Sequence, residues 1–529
     1  MAKIKGVSST VTAPLRIYLL VDNSGSMGDE NKMSYVKQFL HTIPEILTNN
    51  DNVILSIDTF DDRVKQVFQP DLCSNPSYHQ IVETIQPAGG TNISEALDYV
   101  HKRIMAEDKQ LYDIMNNQSQ SSLHRIRLPI VILFTDGIPY SGIKDEGAIR
   151  KWVDFKQEER CYPIYTFGVG KDHDAAYLKS ISKASQGGVY HYIENQQNIS
   201  VMMSGCIGGL VSTVATDVKL TIDICRGAKC NEIYQTLKSG QIHMDDPTTF
   251  VAPGEVRGKV LKGAVDIGSI FADEEKNFVF DFSVGCFDSF AAKLSDVTGY
   301  HYGDYNHVLA HINLIYRPII GGFITAPVTD RVAFVIKRTQ TDYINETIQN
   351  HDIEEQMIRI LWTECMEAVC NNWSTVVSHG TQEIMKSIED KIEKYYLRTS
   401  AIADCKTCSL AMKQIRDKIK NPLCDSKEER TQLIAYISAA ANERANNHDD
   451  SYKSKQSNTG NVFAFGSKFQ TNAQVVAQQK AFSFGSNFVL DSGYKPPTKQ
   501  TSQPQTQQPD VVYTNVITTY NAVKPMPKS

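Results

Sequence analysis

The chain has 529 residues and a mass of 59.2 kDa, which is too long for one ordinary domain and predicts roughly three or four. Hydrophobic residues make up 41% and charged residues 22%, which excludes a chain without any folded core. The net charge of −6 and the pI near 6.1 argue against a protein that mainly binds nucleic acid or anionic lipid.

The cysteines and the apolar runs indicate the compartment. There are 11 cysteines, an odd number at irregular spacing, which favours free thiols in a reducing compartment over a disulfide framework. Residues 1–14 contain lysines but no apolar core, and no run reaches about 18 apolar residues. We therefore expect neither a signal peptide nor a membrane span, and a cytoplasmic location.

Residues 13–211 alternate short apolar runs with amphipathic stretches, which is typical of an α/β domain with a mostly parallel sheet. Helices are expected between the strands, and Val64–Phe68 is expected as an antiparallel edge strand because only a tight turn precedes it. The predicted parallel strands are Leu15–Val21, Asn52–Ile57, Ile130–Phe134, Tyr162–Phe167 and Gly188–Ile193. The predicted helices include Lys32–Leu47, Ser94–Met105 and Ala175–Ser185.

After residue 211 the periodicity changes to two. Val218, Leu220 and Ile222 alternate with polar residues, which predicts an antiparallel β-sandwich over residues 212–327. A stripe at four-residue spacing, including Ile384 and Ile388, predicts a helical region over residues 328–447.

Residues 448–529 form a tail rich in Gln, Asn, Ser, Thr and Pro, with one leucine and no cysteine, arginine or glutamate. Such a segment buries too little apolar area to offset its conformational entropy, so we expect it to be disordered. Phe463–Ser467 is repeated as Phe482–Ser486. The pair is either two FxFG-like sticky motifs, similar to those of nucleoporins, or two aromatic short linear motifs in a polar tail.

Oxygen-bearing side chains follow three predicted strands or the loops above them. Asp22, Ser24 and Ser26 follow the first strand at spacing Asp-x-Ser-x-Ser, Thr91 precedes a helix, and Asp136 follows the central strand. Open α/β sheets place their ligand sites at this edge. Two carboxylates and three hydroxyls are hard donors of the kind that Mg²⁺ prefers, with Mn²⁺ as a second candidate. This set leaves a coordination position that a carboxylate of a partner protein can fill.

This pattern resembles the metal-ion-dependent adhesion site (MIDAS) of the von Willebrand factor A (VWFA) fold. The resemblance covers about residues 13–211, and all five site positions are present. It implies that Ser24, Ser26 and Thr91 coordinate the ion directly, and that Asp22 and Asp136 bind directly or through water. It also implies that the last helix of the domain, Ser200–Leu210 here, can shift and change the metal shell.

The order of domains is similar to that of intracellular eukaryotic A-domain proteins associated with RING or U-box modules. Gly168–Asp174, Cys206–Leu210 and Phe271–Lys276 carry this resemblance. A RING needs eight Cys or His ligands in paired spacings, and neither a RING nor a U-box is recognisable here.

Other motifs have ordinary interpretations. Cys405 and Cys408 have the spacing of zinc ligands, but they lie on the apolar seam of a predicted helix. His173 is expected in an exposed charged turn, with a contribution to partner binding as the alternative. The acidic run at residues 273–275 is expected in a solvated loop, with an acidic docking surface as the alternative. No phosphate-binding loop, nucleophile elbow or metalloprotease motif occurs.

The sequence therefore predicts a non-enzymatic, metal-dependent protein-interaction module or scaffold that binds an acidic partner side chain through Mg²⁺. Neither nucleic acid nor membrane is an expected partner, and the sequence does not specify the oligomeric state. One alternative is a ubiquitin-pathway substrate adaptor or degenerate ubiquitin ligase. Another is a Mg²⁺-dependent phosphoester hydrolase, for which no general base is identified.

Overall fold

The computed structural model describes the N-terminal α/β region, much of the following β region and short pieces further on. The described ranges are 2–6, 12–47, 51–72, 74–117, 126–170, 172–193, 206–224, 228–234, 262–272, 274–284, 305–338, 353–354, 356–358, 360–362, 382, 386–387, 389–390 and 514–516.

The elements are numbered in chain order. The strands are β1 Ala2–Lys5, β2 Leu15–Asp22, β3 Val53–Phe60, β4 Val64–Leu72, β5 Leu128–Thr135, β6 Ile164–Val169, β7 Tyr190–Ile193, β8 Thr213–Ile224, β9 Ala228–Tyr234, β10 Lys262–Phe271, β11 Glu275–Val284, β12 Tyr305–Ile320, β13 Phe323–Ile324, β14 Val328–Arg338 and β15 Thr514–Val516. The helices are α1 Lys32–Ile46, α2 Ser77–Thr84, α3 Ile93–Asn117, α4 Glu146–Glu159, α5 Ala175–Ala184 and α6 at 206–211. A 3₁₀ segment, Gly25–Asn31, precedes α1.

The first sheet has the strand order β4-β3-β2-β5-β6-β7, with β4 antiparallel and the other pairs parallel. Helices cover both faces, which explains why its central strands are apolar on both sides. Ile17 and Leu19 of β2 pack in one core with residues of α1 and α6. Tyr18 and Leu20 point to the opposite core, formed with α3, α4 and α5. The predicted α/β architecture and the antiparallel edge strand are confirmed.

The prediction differed from the structure mainly in the helices. The helix predicted at Ser94–Met105 extends to Asn117. Helices α2 and α4 were not predicted individually, since short amphipathic segments between strands carry a weak periodic signal.

Two antiparallel sheets, built mainly from residues after 212 together with strand β1, form the expected sandwich. One sheet has the order β10-β8-β12-β13 with β14 on β12, and the other has the order β15-β1-β11-β9. Val218 and Leu220 contribute to a core that also includes Ile4 of the N-terminal strand. The sandwich therefore recruits residues from outside the predicted range 212–327.

The predicted start of the helical region, residue 328, is wrong. Val328–Arg338 is strand β14, which pairs antiparallel with β12 from Tyr305 to Tyr316. Pairing with the neighbouring strand β12 determines the conformation of this segment. The sequence pattern of the segment alone does not reveal that pairing. Further along, residues 353–354, 356–358 and 360–362 are helical, and Met357 and Ile360 pack with Val279 of β11.

One short piece of the tail, within the range 448–529 that is predicted to be disordered, is described as a strand. Thr514–Val516 forms β15, which pairs with β1. Three predicted features lie outside the described residues, apart from a few positions between 382 and 390. They are the FxFG-like motifs, the stripe at 384–396 and the Cys405–Cys408 pair. Within the described part of the chain, no helix combines the length and apolar character needed to cross a membrane.

A buried charge network anchors α3, whose first residue lies two positions after Thr91. Asp58 of β3 is fully buried, and burial raises its pKa to about 6. Arg103 of α3 donates to both of its oxygens, at 3.1 and 2.9 Å. Arg103 also pairs with Glu107, to which Tyr18 and Arg16 donate. The network thereby fixes the helix that begins beside Thr91.

Arg103→Met should lower the free energy of unfolding by about 3 kcal/mol at neutral pH, because it leaves Asp58 buried without its cation. The matched control is Arg150→Met, which breaks an ion pair whose side chains are 62% and 42% exposed. The control should change stability by less than about 0.5 kcal/mol. Chemical denaturation measures both, and similar losses would contradict the assignment.

Candidate metal centre

The first part of the site is the sharp turn that follows β2. Asp22 is fully buried at the end of this central strand. Its Oδ1 accepts a hydrogen bond from the Ser24 backbone N–H at 2.8 Å, and its Oδ2 accepts one from the Thr135 hydroxyl at 2.5 Å. Burial raises the pKa of Asp22 to about 6, so the carboxylate is charged at neutral pH at an energetic cost.

The serine hydroxyls connect this turn to the end of β5. The Ser24 and Ser26 hydroxyl oxygens lie 3.2 Å apart, and the Ser26 hydroxyl donates to Asp136 Oδ1 at 2.9 Å. Asp136 and Ser24 are buried, whereas Ser26 is exposed. The set therefore opens to solvent at Ser26.

Thr91 comes from a third loop, which backbone hydrogen bonds hold against the other two. The amides of Tyr140 and Ser141 both donate to the Thr91 carbonyl, at 2.9 and 3.2 Å. The Gly25 amide donates to the Gly89 carbonyl at 3.1 Å. These contacts join the loops after β2 and β5 to the loop that precedes α3.

Gly137 shows how closely the three loops approach each other. A methyl group at position 137 would lie 2.9 Å from Thr91 Cγ2, 3.2 Å from Thr91 Oγ1 and 3.3 Å from Asp22 Oδ2. A side chain at this position would therefore force the threonine away from the carboxylate. The structure thus brings together all five predicted residues, Asp22, Ser24, Ser26, Thr91 and Asp136, at the carboxyl end of the sheet.

The donor set is suited to a hard divalent cation. It contains two carboxylates and three hydroxyls, and no nitrogen or sulfur donor. Over the residues that the structure describes, no three His, Cys, Asp or Glu side chains cluster as a metal cage. An ion at this site would therefore depend on hydroxyl oxygens as well as on carboxylates, which fits Mg²⁺ or Mn²⁺ better than Zn²⁺.

Lys32, which was not predicted as a site residue, contacts the cluster. It is the first residue of α1 and only 3% exposed, and its ammonium donates to Asp136 Oδ2 at 2.7 Å. The ammonium also lies 3.9 Å from Asp172, a half-exposed carboxylate. A lysine six residues after the Asp-x-Ser-x-Ser pattern is the signal that could have indicated this contact.

The prediction that His173 lies in an exposed turn is wrong. His173 is 1% exposed; its Nδ1 lies 2.6 Å from the Gly170 carbonyl and its Nε2 2.6 Å from the Tyr190 hydroxyl. Burial lowers its pKa to about 4, so it is neutral at physiological pH. The histidine ties the loop after β6, which borders Lys32, to strand β7.

The structure also bears on the acidic run and on the last helix of the domain, of which it describes only a part. Glu274 of the acidic run is buried, not solvated: it pairs with Lys276 at 2.9 Å, and its carbonyl accepts from the Gly6 amide of the N-terminal segment. The predicted last helix is described only at 206–211, where Ile207 and Leu210 pack in the core beside α1.

The sequence profile of the von Willebrand factor type A domain matches residues 17–203. The mouse (Mus musculus) inter-alpha-trypsin inhibitor heavy chain H2 is 28% identical over 192 residues, which are 35% of this chain and 19% of that protein. The thrombospondin-related anonymous protein of Plasmodium falciparum is 28% identical over 169 residues, 30% of this chain and 27% of that protein. The match thus spans less than a third of the length of either relative.

A solved structure, the von Willebrand factor type A protein from Catenulispora acidiphila, has a similar fold. The TM-score is 0.50 and the identity 13%, with 82% of this chain and 95% of that chain covered. These findings confirm the type A domain expected from the resemblance.

Because His173 is buried and neutral, we expect the stability of the metal-free protein to depend on pH. Its pKa is about 4 in the folded chain against 6.5 ordinarily, so stability should be lost as the pH falls from about 6.5 towards 4. His173→Gln should remove up to about 3 kcal/mol of this loss. Asp22 and Asp58, whose pKa values are raised, act in the opposite direction but remain in both proteins.

The measurement is urea unfolding of both proteins at several pH values. The variant should be less stable than wild type near pH 7.5, and the two curves should converge as the pH falls. If the stabilities of wild type and His173→Gln changed in parallel with pH, His173 would not be a buried neutral histidine.

Proposed function

We propose that the von Willebrand factor type A domain of this chain is a metal-dependent protein-interaction module that binds an acidic side chain of a partner through Mg²⁺ or Mn²⁺. The observation that carries the proposal is the convergence of five oxygen-bearing side chains from three loops at the carboxyl end of one sheet. Asp22, Ser24, Ser26, Thr91 and Asp136 would hold the ion, which would supply an electrophilic position for a carboxylate.

The hydrogen bonds of the cluster already orient its oxygens. Asp22 is held by Thr135 and by the Ser24 amide, so its carboxylate is fixed before any ion arrives. Supporting contacts of this kind orient metal ligands in proteins. The Ser26 side of the cluster faces solvent, so a partner could approach the ion from that side.

The rim of the site supports a protein as the partner. Ile138 and Tyr140, in the loop after Asp136, are 67% and 74% exposed. They belong to a fixed loop, because the Tyr140 amide donates to the Thr91 carbonyl and the Ile143 amide to the Ser94 hydroxyl. Exposed aromatic and aliphatic side chains on a rigid loop are typical anchors of protein interfaces.

A non-catalytic role in a reducing compartment completes the proposal. The relatives are named for an inhibitor chain and for a likeness to thrombospondin, and neither name states a catalytic activity. Cys161 and Cys206 carry free thiols, and burial raises the pKa of the Cys206 thiol. Among the described contacts, none specifically favours a ubiquitin-pathway adaptor or a phosphoester hydrolase.

Ser26→Ala tests the metal site with little risk to the fold, because Ser26 is exposed. Loss of one hydroxyl donor should weaken Mn²⁺ binding at least about tenfold, as measured by titration calorimetry on the full chain. Thr84→Ala removes an exposed hydroxyl that bonds within α2 and should leave the affinity unchanged. Equal affinities for wild type and Ser26→Ala would count against the proposed ligand set.

Partner capture tests the rim. The double variant Ile138→Ser and Tyr140→Ser should bind Mn²⁺ as wild type does, but should recover less of any protein that wild type captures in Mg²⁺ and releases in EDTA. Phe155→Ser, at a 56% exposed position on α4, serves as the control for lost surface hydrophobicity. Capture by wild type that EDTA does not reduce would contradict the metal-dependent mode.

A further inference from the structure

Lys32 places a buried ammonium directly against one of the two carboxylates of the cluster. The Lys32 and Asp136 side chains are 4% and 0% exposed, and their ammonium and carboxylate are 2.7 Å apart. A metal ion held by Asp136 would therefore share this carboxylate with the Lys32 ammonium. Ser26 bonds the other oxygen, so both oxygens of Asp136 already have partners in the protein.

The chain builds a specific place for this lysine. Gly170 has a φ of +78°, and a methyl group there would lie 2.8 Å from Lys32 Cε, so the lysine stem packs against the bare backbone of that glycine. Glu30 and Asn31, immediately before Lys32, are both left-handed at φ values of 48° and 62°. Such backbone costs free energy for non-glycine residues and turns the chain into α1 so that Lys32 begins the helix.

We propose that Lys32 is a built-in counter-cation that sets the net charge of the site, weakening metal binding and strengthening carboxylate binding by the metal-loaded site. This inference rests on the proposed function and specifies what makes the partner acidic. Lys32 is not one of the five proposed ligands, and it would act through Asp136 as a positioning and charge-setting residue.

The net charge of the cluster changes sign when a divalent ion binds. At neutral pH, Asp22 and Asp136 with Lys32 carry one net negative charge, and a bound divalent ion converts this to one net positive charge. Without the lysine, the loaded cluster would be neutral and would attract a carboxylate less. Asp172 also faces Lys32, but it is 53% exposed and lies at 3.9 Å, so water screens its charge.

The lysine would also repel a bound metal ion, because the two are like charges that would share one buried carboxylate. It stabilises the metal-free state in return, since it compensates a carboxylate that is otherwise buried beside Asp22. The inference therefore predicts opposite changes in two affinities when the lysine charge is removed. A lysine with only a structural role would weaken both when it is lost.

The first experiment measures Mn²⁺ binding to the full chain at pH 7.5 by titration calorimetry. Lys32→Met should bind Mn²⁺ about tenfold more tightly than wild type, and Lys32→Arg, which keeps the charge, should stay close to wild type. Lys276→Met is the matched control, because it breaks another buried lysine–carboxylate pair, with Glu274, in the β region. This control should leave the Mn²⁺ affinity unchanged.

The second experiment uses acetate as a carboxylate probe on the Mn²⁺-saturated proteins. Acetate displaces water from the ion, which lowers the paramagnetic enhancement of water-proton relaxation. Acetate should bind at least about fivefold more weakly to Lys32→Met than to wild type, since the loaded cluster has lost its net positive charge. In EDTA, Lys32→Met should have a lower melting temperature than wild type. Addition of Mn²⁺ should raise the melting temperature of Lys32→Met by more than it raises that of wild type.

The outcomes separate the inference from the proposed function. If wild type binds Mn²⁺ and Lys32→Met binds it equally or more weakly, the inference is overturned and the proposed function stands. If only Lys32→Met binds Mn²⁺, the opposition between lysine and metal is supported, but the native site is not a metal centre. If neither binds, both fail. Lys32→Gln, which keeps a hydrogen-bond donor for Asp136, replaces Lys32→Met if that variant does not fold.

Discussion

Two buried carboxylates facing one small volume are the constraint on which the site depends. Asp22 and Asp136 are almost fully buried, and placing such charges together is unfavourable unless positive charge or hydrogen bonds compensate them. The protein supplies part of this compensation through Thr135, Ser26 and Lys32. The remaining net negative charge is what would attract a divalent cation.

The fold delivers these groups because parallel strands end at the same edge of the sheet. Asp22 ends β2 and Asp136 follows β5, and these neighbouring strands pair in parallel from Leu15–Leu128 to Val21–Phe134. Gly137 and Gly170 then allow close approach, one for Thr91 and the other for Lys32. The helices behind the sheet, including α3 with its anchor to Asp58, hold the loops in place.

The sequence predicted the α/β sheet, the sandwich and the five clustered residues, because each depends on a local pattern such as an apolar run, a period of two or the Asp-x-Ser-x-Ser spacing. It did not predict Lys32 or the burial of His173 and Glu274, because these depend on contacts between loops far apart along the chain. Strand β14 and the joining of β1 to the sandwich were missed for the same reason, since strand pairing is non-local.

The most direct test of the central claim is anomalous diffraction from crystals of the full chain grown with Mn²⁺. We expect one strong anomalous peak at about 2.2 Å from the Ser24 and Ser26 hydroxyl oxygens and close to Thr91, with Asp22 and Asp136 bound directly or through water. A map without a peak at this position, in crystals where the five side chains are well ordered, would contradict a metal site formed by these residues.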